Sequence, residues 1–253
     1  MPDLPPVPTT AVAFDSVSKS FGARAVLKDV TFSIPAGTAF VLLGRSGSGK
    51  SVTLKMICGL LKADSGSVAV NGTDITKFDS HQLAATRKHI GFLFQSAALF
   101  DSITVGENVA FPLRRNTGKT DPEIRDEAQN LLEKVGLGEE YDHLPSELSG
   151  GMRKRAGLAR ALAMEPSILL IDEPSAGLDP ITSHEIDQLL IDIKTKNRAT
   201  LIVVTHNIPS ARRIADRMAF LEDGHLVAQG TLKELEQSET QLVRDFLKSQ
   251  QAG

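Results

Sequence analysis

GRSGSGKS, Gly44 to Ser51, follows the apolar run Ala39-Phe40-Val41-Leu42-Leu43 and precedes Val52-Thr53-Leu54-Lys55-Met56-Ile57. The octet fits G-x-x-x-x-G-K-[ST], the pattern of a phosphate-binding loop. Its flanks read as a buried strand going in and a helix coming out, the context the motif requires. Gly44, Gly47 and Gly49 let the backbone bend round an anion. Bare N–H groups at the helix start then point at phosphate. Lys50 is placed to reach the β- and γ-phosphates of a nucleoside triphosphate, and the Ser51 hydroxyl to ligate Mg²⁺. The nucleotide is expected on Gly44, Arg45, Ser46, Gly47, Ser48, Gly49, Lys50, Ser51 and Val52.

Composition sets the surroundings. The chain has 253 residues, 41% hydrophobic and 23% charged, an ordinary globular balance for one large domain or one domain with an insertion. A net charge of -3 gives no basic field for nucleic acid or anionic lipid. The one cysteine, Cys58, excludes an internal disulfide and suits a reducing compartment. No apolar run approaches bilayer length, so dealings with a membrane are expected to pass through a partner. Residues 1–10 are expected to be a disordered, proline-rich tail.

Outward from the loop, Val12, Phe14 and Val17, then Val30, Phe32 and Ile34, pattern as strands. Phe21 falls in a turn between them, either as core or as a ring on which a base stacks. Asn71-Gly72 marks a tight turn after a short strand, and Ile90 to Phe94 reads as a buried strand ending on Gln95. From about Ser96 to Pro166 helical patterns dominate, with Asp121 as the N-cap of one helix, Pro122 at its first position, Glu123 in its first turn and Gly136 closing it. Ser167 to Glu173 and Thr200 to His206 are apolar strands around a helix marked by Ile186, Leu189, Leu190 and Ile193, which implies a parallel sheet. Asp223-Gly224 turns a hairpin, and Leu232 to Leu247 is amphipathic.

Ligands bind at the carboxyl ends of parallel strands, where Gly44, Gln95, Asp172, Glu173 and His206 all fall. Asp172 is expected beside Mg²⁺ and Glu173 as the base for an attacking water. His206 suits hydrogen bonding to the γ-phosphate and in-line placement of the water. Gln95 offers an amide oxygen to Mg²⁺ or the water. Leu148-Ser149-Gly150-Gly151-Met152 precedes a helix expected over Arg153 to Met164, with Ser149 as its N-cap and a second anion-binding N-terminus.

GRSGSGKS, Gln95 in FLFQ, LSGGM, ILLIDEP, SAGLD and His206, in this order and spacing, resemble the nucleotide-binding subunit of an ABC transporter from about Val12 to Leu235. The resemblance implies an α/β fold: a P-loop ATPase core of parallel sheet plus antiparallel β-subdomain, with a helical subdomain inserted at about 96–166. Residues 11–238 would form the cassette and 239–253 a C-terminal extension. It implies ATP and Mg²⁺, with Lys50, Gln95, Glu173 and His206 catalytic and Ser51, Gln95 and Asp172 at the metal. Phe21 would stack on the base. Ser149, Gly150 and Gly151 would bind the γ-phosphate held by a second copy, with Asp179 in the adjoining D-loop, so that two copies sandwich two ATP molecules head to tail. The helical insertion would meet a membrane permease, placing the chain on the cytoplasmic side of the inner membrane. One departure is Met152, where the commonest signature has Gln, because a thioether cannot replace an amide's hydrogen bonds.

Leu93 to Leu113, Pro145 to Ala163 and Asp172 to Thr182 are similar to the ATPase of MCE-linked (Mla-type) phospholipid transporters. That branch implies an MCE-domain lipid carrier and a STAS-domain protein as partners, and no nucleic acid. Alternatives are a cassette for another solute and a soluble ABC-type ATPase; the latter carries two cassettes or a coiled coil, which this chain lacks. A catalytically silent subunit is disfavoured by intact Lys50, Asp172, Glu173 and His206.

Overall fold

The computed structural model describes residues 9–197 and 199–249. Two sheets share one sandwich. The first is antiparallel: β1 (Thr10–Phe21), β2 (Arg24–Pro35), β4 (Ser65–Val70) and β5 (Thr73–Asp74), in the order β2-β1-β4-β5. The second comprises β3 (Ala39–Leu43), β6 (Ile90–Leu93), β7 (Ile168–Asp172), β8 (Thr200–Val204), β9 (Arg217–Glu222) and β10 (His225–Gly230), in the order β10-β9-β3-β8-β7-β6. All of its pairings are parallel except β9 with β10, which form the hairpin turned at Asp223-Gly224.

Strands β3, β7 and β8 are buried at every residue because both faces are covered. The period of two divides them cleanly. Phe40, Leu42, Leu170 and Ile202 face the antiparallel sheet, with Phe14 and Phe32 across from them. Val41, Leu43, Ile171 and Val203 face the helices. Val17 lies three residues after Phe14, out of step for a strand. A bulge at Ser16, with φ of 51°, restores it to the core face.

The helices are α1 (Lys50–Ile57), α2 (Ser80–Arg87), α3 (Val105–Asn116), α4 (Asp121–Lys134), α5 (Gly150–Leu162), α6 (Pro180–Asn197), α7 (Ile208–Ile214), α8 (Leu232–Glu236) and α9 (Gln241–Lys248). Between β6 and β7 the chain is helical, and α3, α4 and α5 pack through Val109, Ile124, Leu132 and Leu158. Two expectations need correction and one gains detail. Residues 1–8 lie outside the described residues, but the tail expected over 1–10 is already ordered at Thr9, whose carbonyl accepts from Ala36 N at 3.1 Å, and at Thr10, which pairs with Pro35. Helix α4 is capped by Thr120, not Asp121, because the Glu123 carboxylate accepts from Thr120 N at 2.7 Å. The amphipathic segment after the hairpin is two helices, α8 and α9, with Thr231 and Thr240 at their starts. Residues 250–253 of the expected extension lie outside the described residues.

One ion pair, with its carboxylate buried and its guanidinium partly exposed, links α6 to α7. Asp187 is 0% exposed and accepts from Arg213 Nε at 2.9 Å, from Arg213 Nη2 at 2.6 Å and from the Ser210 hydroxyl. Arg213→Met is expected to cost about 3–5 kcal/mol, because it strands a buried carboxylate. Denaturant titration reads this directly, and a loss below about 1 kcal/mol, the usual worth of a surface pair, would contradict it.

Candidate functional site

The loop from Gly44 to Gly49 joins β3 to α1 with three glycines at positive φ: 151° at Gly44, 81° at Gly47 and 108° at Gly49. A Cβ at Gly44 would stand 2.1 Å from the Leu221 carbonyl, and one at Gly49 2.9 Å from that of Val26. These two glycines therefore serve the packing of the loop against its own protein as well as the approach of an anion. Gly47 faces the Arg24 guanidinium instead, 3.3 Å from the position its Cβ would take.

Above the loop lies a cavity of about 620 Å³, within the usual range of ligand sites. Its walls include Phe21, Arg24, Arg45, Ser46, Gly47, Gly49, Lys50, Ser51, Val52, Gln95, Glu173 and His206. Positions from Phe21 to Phe246 thus meet at the carboxyl edge of the parallel strands. Phe21 is the last residue of β1 and 48% exposed, so its ring is core to nothing and faces the cavity.

Lys50 is 6% exposed and donates to the carbonyls of Gly44 at 2.8 Å and Arg45 at 2.9 Å. Burial pulls its pKa below that of a free lysine, against the opposing pull of Glu173, Asp172 and Glu222. Ser51 donates to Asp172 Oδ1 at 3.0 Å. Burial, reinforced by repulsion from Glu173, pushes the Asp172 carboxyl above the usual range despite that bond. Ser48 Oγ is buried with no hydrogen-bond partner. A desolvated ammonium, an orphaned hydroxyl and a hydroxyl–carboxylate pair fit a triphosphate with Mg²⁺, for which Ser51 and Asp172 could offer hard oxygen donors and Lys50 the compensating charge.

The sign of the Asp172 shift yields a test. A carboxyl whose folded pKa is raised contributes stability below its unfolded pKa and loses it as pH rises through the folded value. At neutral pH Asp172 is therefore a cost to the nucleotide-free protein. Asp172→Asn is expected to raise the melting temperature without nucleotide at pH 7, to shrink that gain on acidification toward pH 3.8, and to reduce the extra protection given by Mg²⁺ with ATP. Equal melting of the two proteins at pH 7 would contradict the shift.

Glu173 follows the last residue of β7 and takes a left-handed conformation, φ 49°. Its carboxylate accepts from Thr205 Oγ1 at 3.2 Å and lies 2.9 Å from His206 Nδ1. Gln95 stands two residues past β6. The chain beyond it takes two left-handed alanines, φ 61° at Ala97 and 48° at Ala98, whose carbonyls each accept from Arg160 at 2.7 Å.

Ser149, Gly150, Gly151 and Asp179 are not among the residues around this cavity. Ser149 caps α5, accepting from Met152 N at 3.2 Å; α5 starts at Gly150, three residues before the expected Arg153. Asp179 accepts from Ile181 N and Thr182 N, each at 3.0 Å, at the head of α6, and its pKa is lowered chiefly by Thr182. The two segments touch: a Cβ on Gly151 would stand 2.5 Å from Thr182 Cγ2. Sequence reasoning missed Arg24, Thr205 and Phe246 near the cavity and Arg160 behind Gln95. Only Arg24, a basic residue three positions after Phe21, left a signal to follow.

A family model described as ABC transporter matches residues 27–176. The probable ribonucleotide transport ATP-binding protein mkl of Mycobacterium leprae is 46% identical over 243 residues, 96% of this chain and 70% of that protein. The methionine import ATP-binding protein MetN of Vibrio vulnificus is 38% identical, covering 94% and 70%. Among solved structures, the dimeric ATP-binding cassette MJ0796 in a post-hydrolysis state with ADP and Pi superposes with a TM-score of 0.82 at 34% identity, over 87% of this chain and 98% of that one. The cbiO1 subunit of the Clostridium perfringens cbiONQ complex gives 0.83 at 28% identity, over 95% and 96%. With the family model, the identities and the superposed folds in agreement, this chain belongs to the ABC transporter family as an ATP-binding subunit, an ATPase that uses ATP with Mg²⁺.

Proposed function

We propose that two copies of this subunit sandwich two ATP molecules head to tail, and that hydrolysis drives a permease moving phospholipid between inner and outer membranes. In this reading Glu173 is the general base and His206 holds the attacking water and γ-phosphate. Lys50 compensates the β- and γ-phosphates, Ser51 and Asp172 hold Mg²⁺, and Gln95 adds an oxygen to the metal or the water. Phe21 carries the adenine. Ser149, Gly150, Gly151 and Asp179 serve the nucleotide of the second copy, which accords with their place away from the chain's own cavity. The observation that carries the chemistry is the meeting of the Ser51–Asp172 pair at 3.0 Å and the Glu173–His206 pair at 2.9 Å on one phosphate loop.

Lipid as the cargo is supported by the likeness of Leu93 to Leu113, Pro145 to Ala163 and Asp172 to Thr182 to MCE-linked transport ATPases. Phe100 and Phe111, exposed and with ring centroids 5.1 Å apart, border a groove with Phe92, Phe94 and Arg160 that suits a permease helix. In this reading the subunit is held on the cytoplasmic side of the inner membrane by its permease; no helix among the described residues is long and apolar enough to cross a membrane. An MCE-domain carrier and a STAS-domain protein complete the assembly. A second reading, uptake of a soluble solute, draws on the names of the ribonucleotide and methionine transport relatives. Pull-down of the tagged chain from gently solubilised membranes, with mass spectrometry of proteins and lipids, separates the two. Permease, MCE protein and phospholipid are expected together. A permease arriving without either MCE protein or lipid would retire the lipid reading and leave the ATPase intact.

A further inference from the structure

Lys154 is a lysine in the wrong place for an ordinary one. It lies in the second turn of α5 and is 5% exposed. It forms no salt bridge among the described residues, although the charges of Glu173 and Asp172 act on it against the larger effect of burial. Burying an ammonium this way is unfavourable unless its hydrogen bonds are well spent. Its ammonium donates to the main-chain carbonyl of Glu173, at 2.8 Å. That carbonyl also accepts from Ala176 N at 3.2 Å, which closes the turn after β7. Glu173 needs the support. It is not glycine, its φ is 49°, and Pro174 follows, which favours an extended residue before it. Strained backbone persists only where its surroundings over-determine it.

We propose that Lys154 is a positioning residue: its ammonium pins the left-handed turn at Glu173 and so aims that carboxylate into the cleft. The same helix begins with Ser149 and Gly151. Lys154 therefore ties the base of one copy's site to the helix start that serves the other copy's nucleotide. This rests on the reading of Glu173 as the base.

A double-mutant cycle on the full chain tests it, with kcat and directly titrated ATP affinity measured for Lys154→Met, Glu173→Gln and the pair. Lys154→Met is expected to lower kcat by about 10–100-fold, the scale on which small misplacements act, with ATP affinity unchanged. Lys154→Arg, which keeps a donor, should recover most of the lost rate. In the Glu173→Gln background Lys154→Met should cost nothing more, because it acts through that carboxylate. If the Met variant does not fold, Lys154→Leu, which also lacks a donor, carries the same cycle. Full additivity, a parental rate in the Lys154 variant, or loss of ATP affinity matching the loss of rate would each overturn the proposal and leave the base reading standing. A parental rate in Glu173→Gln would overturn both.

Discussion

Glu173→Gln is expected to slow ATP turnover by about 10²–10⁴-fold, the usual share of a general base, while ATP still binds. The two halves of that expectation have separate causes. Gln keeps the shape of Glu, so the contacts with Thr205 and His206 retain partners, but a neutral amide cannot take a proton from water at the moment of attack. Binding rests on other groups: the glycine loop, Lys50, Ser51 and Phe21 are untouched. Removing a negative charge beside a triphosphate does nothing to weaken its capture. Steady-state phosphate release together with an ATP titration checks both halves. Hydrolysis at the parental rate would show that Glu173 is not the base.

Lys50→Ala is expected to lose tight ATP binding. The ammonium is buried and its pKa is depressed by that burial, so the protein holds a charge that the phosphates would satisfy. Removing one member of a buried charge pair costs roughly 2–5 kcal/mol, which is about 30-fold to several thousand-fold in Kd. Part of that loss belongs to the empty loop, since Lys50 also bridges the carbonyls of Gly44 and Arg45. Lys50→Met, which fills much of the same volume without the donor, separates the two contributions. Calorimetric titration reads the result, and near-parental affinity in both variants would remove Lys50 from the binding site.

The cleft was legible in the sequence because its parts carry strong local signals. Gly44 to Ser51 is a contiguous pattern, and Gln95, Asp172, Glu173 and His206 each terminate an apolar run that only a buried strand explains. The Asn71-Gly72 and Asp223-Gly224 turns follow from left-handed backbone. What was missed depends on three-dimensional neighbours. Lys154 and Arg160 sit in a helical pattern as two more basic residues of a surface; only the fold shows them turned inward onto the carbonyls of Glu173, Ala97 and Ala98. Thr205 precedes His206 without a motif of its own. Helix α2 carries a capping box from Asp79 to Gln82, but its sparse apolar face, with Leu83 alone buried, left no period to read. The split between α8 and α9 turns on Thr231 and Thr240 as successive starts within one amphipathic stretch.

The most direct test of the account is the mass of the Glu173→Gln chain in solution, measured by analytical ultracentrifugation with and without Mg²⁺ and ATP. The account predicts a single chain of 27.2 kDa without nucleotide, twice that mass with it, two ATP molecules per pair, and return to the single-chain mass on adding Ser149→Arg. A species of 27.2 kDa with ATP fully bound would contradict the sandwich and the role given to Ser149, Gly150 and Gly151.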